Sequence, residues 1–274
     1  METESFFESE RPEIVIVAAA KVGGIMANSS FQAEFLYENL LIQNNIIHSS
    51  HLYGVKKLIF LGSACIYPKL SKQPIKEEAL LSGELEPTNE GYAIAKITGI
   101  KLCQFYYERF GNNFISLMPN NLYGPNDNFN LKTSHVLPAL IRKIHTSKLE
   151  LNKSVEIWGT GRPKREFIHV DDLALAVLFV LNNVNAEHIY SKGISHMNVG
   201  SGEEISIKDL ASLIRTIIGY DGKLTFNTSM PDGMPRKILD STIINKLGWK
   251  PNIKLKEGIK RTFNWYLENN YTKN

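Results

Sequence analysis

The amino-acid sequence predicts an α/β protein built on a doubly wound parallel sheet. Short apolar runs without polar alternation recur at residues 13–19 (EIVIVAA), 57–61 (KLIFL) and 113–118 (NFISLM). Such runs suit strands covered on both faces. Helical patterns at about residues 34–52 and 92–110 separate them. Each is long enough to carry a right-handed crossover between parallel strands.

After Pro119 the pattern changes. Residues 120–129 (NNLYGPNDNF) read as a loop by composition, and residues 134–145 as a short helix capped by Thr133 or Ser134. Three further helices are expected at 171–181, 207–218 and 255–268. The domain reading is a dinucleotide-binding domain over 1–120, to which 167–185 returns, and a smaller, loop-rich substrate domain over 121–274. No internal repeat or low-complexity segment is visible.

Composition excludes several function classes. Of the 274 residues, 43% are apolar and 22% charged, ordinary for a globular chain. The net charge of +3 comes from 31 Lys and Arg scattered among 28 Asp and Glu, which makes no case for nucleic acid or membrane as a partner. Two cysteines cannot build a disulfide framework and lack zinc-ligand spacing, so no metal is expected and a reducing compartment is. The first residues, METESFFESERPE, carry no cationic, apolar leader. The longest apolar run, 173–181, is too short for a membrane span. The expectation is a cytoplasmic protein.

Tyr92 and Lys96 in YAIAK lie four residues apart, on one face of a helix. An ammonium beside a phenol favours the phenolate and lowers the tyrosine pKa from about 10. A tyrosine so tuned can exchange a proton with a substrate oxygen near neutral pH. Alone, the pair reads as an amphipathic helix with a half-buried tyrosine and a solvated lysine. Ser63 changes the weighting. It ends the second strand, and strand carboxyl ends face the ligand crevice of open α/β sheets.

A strand, Ser63, then Tyr92 and Lys96 on the following helix resemble the extended short-chain dehydrogenase/reductases. Residues 18–24 (AAAKVGG), 62–69 (GSACIYPK), 86–96 (EPTNEGYAIAK), 121–128 (NLYGPNDN) and 165–172 (REFIHVDD) narrow it. In this order they resemble the GDP-L-fucose synthase family, whose members are also called GDP-4-keto-6-deoxy-D-mannose 3,5-epimerase-4-reductases. The likeness runs from about residue 5 to about residue 268. It implies a Rossmann-like fold, an NADP-dependent oxidoreductase with isomerase activity, a GDP-4-keto-6-deoxy-D-mannose substrate, and a homodimer packed through helices 34–52 and 92–110.

The resemblance implies catalytic roles for Ser63, Cys65, Tyr92, Lys96 and His135. A C4 ketone acidifies the hydrogens on C3 and C5, and inverting each centre needs one group to remove a proton and another to return one. A thiol at about 8.5 and an imidazole at about 6.5 both lie near enough to neutrality. By themselves Cys65 would be a small buried hydrophobe and His135 a helix-start residue; Cys103 stays a packed thiol. The resemblance also implies nicotinamide-cofactor contacts at Leu61, Gly62, Ser63, Ala64, Lys96, Pro119, Asn120, Asn121, Leu122 and His135. Substrate contacts are implied at Lys143, Trp158, Arg165 and Asp232. Arg165 suits a diphosphate through bidentate geometry. Without the family, Trp158 is a core aromatic and Asp232 in PDG a turn former.

One departure stands out. No GxxGxxG follows a strand anywhere in the sequence, although its glycines let backbone amides approach a pyrophosphate. The likeness begins partway into the family's first domain, so the sheet is expected to lack its N-terminal strands and Gly-rich loop, about one and a half βαβ units. Residues 13–19 would then form a bared apolar edge, and NADPH binding by this chain would be poor. Three readings stay open: most of an epimerase-reductase making GDP-L-fucose, an impaired remnant that binds GDP-sugar or pairs with an intact subunit, or another nucleotide-sugar epimerase or dehydratase. The cysteine–histidine pair disfavours the last.

Overall fold

The computed structural model describes residues 2–230 and 232–269. In chain order the elements begin with α1 (Glu2–Glu10), β1 (Ile14–Val17), α2 (Ile25–Ser30), α3 (Gln32–Leu52), β2 (Lys57–Leu61), α4 (Glu90–Phe110) and β3 (Phe114–Pro119). Next come β4 (Asn121–Tyr123), α5 (Val136–Leu149), β5 (Ser154–Trp158), β6 (Lys164–His169), α6 (Val170–Asn183) and α7 (Glu187–Tyr190). The chain closes with β7 (Met197–Val199), β8 (Glu204–Ser206), α8 (Ile207–Ile218), β9 (Lys223–Asn227), β10 (Arg236–Lys237), α9 (Thr242–Leu247) and α10 (Leu255–Glu268). Two compact units result: 1–120 with 174–199 and 239–250, and 121–173 with 200–238 and 251–274. No helix among the described residues is long and apolar enough to cross a membrane.

The first unit is the parallel α/β body that the apolar runs predict. Its sheet has the order β1-β2-β3-β7, all pairs parallel. Leu58, Ile59 and Phe60 of β2 and Phe114, Ile115 and Leu117 of β3 are fully buried, as strands covered on both faces require. At the sheet's end β1 leaves Ile14 and Ile16 about half exposed while Val17 is buried, so an apolar edge is present.

Helix α4 packs against α3 and β2 through small residues four apart: Gly91, Ala95 and Gly99. A side chain at Gly99 would meet the Phe60 ring at 2.4 Å, and one at Gly91 the Gln32 carbonyl oxygen at 2.6 Å. Gln43 of α3 donates to the Ala95 carbonyl at 2.6 Å. Gly111, at φ +71°, ends the helix in the left-handed conformation. This close approach fixes where Tyr92 and Lys96 sit.

The second unit holds three strands in the order β10-β6-β4, with β8 antiparallel on β6, and a parallel pair β5-β9. Its core gathers Tyr123, Phe129, Leu140, Ile141, Leu210, Ile214, Phe263 and Tyr266. Helix α8 spans the expected residues: Ser206 Oγ accepts from the Asp209 N–H at 3.0 Å, and Gly219 closes the helix.

Two expectations need correction. Residues 120–129 are not all loop, because Asn121–Tyr123 pairs with Phe167–His169 as a parallel strand. Three residues are too few to show a period, and the partner lies over forty residues away. The helix expected at 134–145 begins at Val136 with His135 as its N-cap, and no side-chain cap bond forms. Thr133 Oγ1 instead accepts from Asn128 at 2.9 Å.

Candidate active site

In the first unit, the carboxyl end of β2 assembles four of the expected catalytic residues. Gly62 N–H donates to the Leu117 carbonyl at 2.9 Å, which extends the pairing with β3 by one bond. The chain then turns into a short 3-10 helix, Ala64–Ile66, with Ser63 in extended conformation as its N-cap. Ser63 Oγ accepts from the Cys65 N–H at 3.4 Å, and the Ser63 carbonyl accepts from Ile66 N–H at 3.2 Å. The turn is buried, and Cys65 is 8% exposed.

Helix α4 brings Tyr92 and Lys96 to the same place. Lys96 is 3% exposed; its Nζ donates to the Leu61 carbonyl at 2.8 Å and lies 4.8 Å from the Phe60 ring centroid and 5.8 Å from that of Tyr92. Burial pushes the Lys96 ammonium down to about 8, and the negative form of Cys65 opposes that shift. The Tyr92 phenol moves opposite to the sequence expectation. Burial raises it, the charge of Cys65 raises it further, and a hydrogen bond with Ser63 pulls it down without prevailing. The physical reason is that the ammonium is turned onto the Leu61 carbonyl and two ring faces, so it stabilises a phenolate less than desolvation penalises one. Ser63, Cys65, Tyr92 and Lys96 thus form one coupled group.

The expected cofactor residues divide between the units. Leu61 and Pro119 end the neighbouring parallel strands β2 and β3, where Leu61 pairs with Leu117. Asn120 N–H donates to the Val199 carbonyl at 3.2 Å, and Gly62, Ser63, Ala64 and Lys96 lie in the same unit. Asn121 and Leu122 belong to β4, and the Asn121 amide donates to the Glu166 carbonyl at 2.8 Å. His135, also in the second unit, is pushed below its ordinary 6.5 by burial and by the Lys237 cation.

The expected substrate residues all lie in the second unit, in two pairs. Lys143 Nζ sits 5.2 Å from the Trp158 ring centroid, and Trp158 is 49% exposed, so it is no core aromatic. Arg165 feels the Asp232 carboxylate, which opposes the depression that burial imposes on the guanidinium. Asp232 does more than form a turn. Its two oxygens accept from the Thr160 N–H at 2.6 Å and the Thr160 hydroxyl at 2.8 Å. Gly159, at φ +78°, must lack a side chain, since a Cβ there would lie 2.2 Å from Asp232 Oδ1.

Sequence reasoning missed Thr160 and Phe60. It also missed a buried polar set in the first unit: Tyr67, Glu77, His196 and Asn198. The only signal was the polar pair His196 and Asn198 on either side of Met197, at the start of β7. Among the described residues no group of His, Cys, Asp and Glu could hold a metal ion.

Comparison with known proteins finds relatives over nearly the whole chain. The model of the NAD dependent epimerase/dehydratase family matches residues 1–200. GDP-L-fucose synthase 1 of Arabidopsis thaliana is 54% identical over 268 residues, covering 98% of this chain and 81% of that protein. GDP-L-fucose synthase of Escherichia coli K12 is 50% identical over 266 residues, covering 96% and 83%. The solved GDP-mannoheptose C4 reductase of Campylobacter jejuni with NADP bound superposes with a TM-score of 0.89 at 44% identity, covering 97% and 84%.

The electrostatics of His135 are directly checkable. A histidine-resolved NMR titration of the protein without added nucleotide should put its midpoint below the ordinary 6.5, with the neutral imidazole dominant at pH 7. A midpoint above 6.5 would contradict the buried, cation-facing placement.

Proposed function

The chain belongs to the NAD dependent epimerase/dehydratase family, and from that premise we propose that it converts GDP-4-keto-6-deoxy-D-mannose to GDP-L-fucose. The observation that carries this reading is the grouping of Ser63, Cys65, Tyr92 and Lys96 at the carboxyl end of β2. It supports a 3,5-epimerisation followed by a 4-reduction.

Cys65 removes the acidified protons at C3 and C5, and His135 returns protons to those carbons. At C4, Ser63 donates a hydrogen bond to the ketone oxygen and Tyr92 gives it a proton. The raised phenol suits this task, because a donor must hold its proton until charge develops on the substrate oxygen. Lys96 then stabilises the phenolate that remains. In the second unit, Arg165 holds the diphosphate, with Lys143, Trp158 and Asp232 as further substrate contacts; Asp232 acts by fixing the Thr160 backbone beside Trp158.

The residues present fit the nicotinamide end of NADP. Adjacent strand ends at Leu61 and Pro119 supply the crevice floor, and Lys96 anchors it from α4. When bound, NADPH supplies the hydride for the C4 carbon. The sequence contains no GxxGxxG for the pyrophosphate.

The thiol chemistry assigned to Cys65 needs a reducing compartment, so we place the protein in the cytoplasm. A homodimer through α3 and α4 is supported by Tyr37, Leu41, Ile94 and Phe105, all exposed on those helices. Sedimentation that finds only monomer at micromolar concentration would contradict it.

NMR of GDP-4-keto-6-deoxy-D-mannose in deuterated water, with and without NADPH, separates the steps. The protein should incorporate deuterium at C3 and C5 without NADPH. Cys65→Ser should slow that about 100-fold or more, because serine is a poor base at neutral pH. Tyr92→Phe should leave exchange intact and slow reduction by about 100-fold. Exchange by Cys65→Ser at the unaltered rate, or reduction by Tyr92→Phe at the unaltered rate, would overturn the role concerned. Exchange without any net reduction by the unaltered protein would overturn the reductase half of the proposal.

A further inference from the structure

Two residues beyond Cys65, Tyr67 points into the protein and is 2% exposed. Its hydroxyl lies 2.5 Å from Asn198 Oδ1 and 2.6 Å from His196 Nε2. His196 immediately precedes β7 and Asn198 lies within it; flanking Met197, the two project to the same side. All three residues belong to the first unit.

The direction of every hydrogen bond in this set can be worked out. The Asn198 amide nitrogen donates to two carbonyls, Ile75 at 3.0 Å and Asp240 at 3.2 Å. That fixes the amide, so Oδ1 is the atom facing the phenol and must accept. The phenol has one proton and spends it on Asn198. His196 Nε2 must therefore carry the proton it shares with the phenol oxygen, and Nδ1 accepts from Ser195 Oγ at 2.8 Å. Burial and the nearby Lys101 cation push His196 down to about 3, which keeps the imidazole neutral and leaves Nδ1 as the acceptor. The Asn198 backbone N–H is also spoken for, donating to Glu77 Oε1 at 2.9 Å. Each partner of Tyr67 is thus locked by a further partner.

The consequence falls on the turn. Tyr67 is the C-cap of Ala64–Ile66, the segment that bears Cys65. At the other end, the Ser63 cap bond to Cys65 N–H is long, at 3.4 Å. Tyr67 holds the rear end through two side-chain bonds, at 2.5 and 2.6 Å. We propose that Tyr67 is a positioning residue: held by Asn198 of β7 and by His196 just before it, it clamps the turn carrying Ser63 and Cys65 and sets where the thiol sits against Tyr92 and Lys96. The importance of this clamp for proton transfer rests on the role proposed above for Cys65; the clamp itself does not.

A buried tyrosine with satisfied bonds could simply stabilise the core, and Tyr190 provides the control. Its hydroxyl donates to the Phe114 carbonyl at 2.9 Å in the same unit. Tyr67→Phe and Tyr190→Phe each delete one hydrogen-bonded hydroxyl, but only the first touches the turn. Tyr67→Phe should lower the rate of deuterium incorporation at C3 and C5 about tenfold or more, with the KM for the GDP-sugar unchanged within about twofold. Tyr190→Phe should leave that rate unchanged within about twofold.

Alkylation of Cys65 by iodoacetamide, followed across pH by mass spectrometry that separates it from Cys103, gives a second readout. Its midpoint should shift by about half a pH unit or more in Tyr67→Phe and stay fixed in Tyr190→Phe. Should Tyr67→Phe fail to fold, Ser195→Ala is the milder variant, since it frees His196 Nδ1 and should shift the same midpoint in the same direction by less. Tyr67→Phe behaving like Tyr190→Phe in both measurements would overturn the proposal, as would an unmoved midpoint in a folded Ser195→Ala when Tyr67→Phe does not fold. If the unaltered protein exchanges neither proton, the proposed function fails, and the alkylation midpoint still decides whether Tyr67 holds the turn.

Discussion

The first unit is organised around a buried ammonium. Lys96 is sealed from water, and an unpaired buried cation costs several kcal/mol. The Leu61 carbonyl, and the faces of the Phe60 and Tyr92 rings, offset that cost. The Leu61 carbonyl and the Phe60 ring reach the ammonium only because α4 lies close against β2. That approach depends on Gly99, whose missing side chain leaves room for the Phe60 ring, and on Gly91 and Ala95, where α4 meets Gln32 and Gln43 of α3. One charge therefore ties the small-residue stripe of a helix to the end of a strand.

The chemistry follows from where that charge is directed. Because the ammonium is held by a carbonyl, the phenol of Tyr92 keeps its proton through burial and the repulsion of Cys65. Such a tyrosine is a donor awaiting an acceptor. Cys65, four residues after β2 ends at Leu61, shares the same field but sits on a turn of its own. That turn is capped weakly in front by Ser63 and held behind by Tyr67. Reduction and epimerisation thus draw on one cluster through different supports, a helix for the proton donor at C4 and a clamped turn for the base at C3 and C5.

Much of this was legible in the sequence. The apolar runs give three of the four strands of the parallel sheet, and Tyr92, Lys96, Ser63 and Cys65 are recognisable as a set. Helix α8 announces its ends through Ser206 and Gly219. Other features were not readable, for physical reasons. Four-residue spacing places Tyr92 and Lys96 on one face, but it cannot show that Lys96 Nζ turns to Leu61, which reverses the direction of the Tyr92 shift. Strand β4 is too short for periodicity, and the His135 cap leaves no side-chain bond to find. Tyr67 meets His196 and Asn198 only through folding, across about 130 residues of chain.

The measurement that bears most directly on this account is a titration of Tyr92 by NMR, with the tyrosine ring carbon labelled and Tyr92→Phe used for assignment. If Lys96 is committed to the Leu61 carbonyl, the Tyr92 phenol should titrate above its ordinary value of 10 in the protein without added nucleotide, and Lys96→Met should leave it above that value. A Tyr92 midpoint below 10 that rises when Lys96 is removed would show an ammonium directed at the phenol, and would contradict the arrangement from which the proposed mechanism is built.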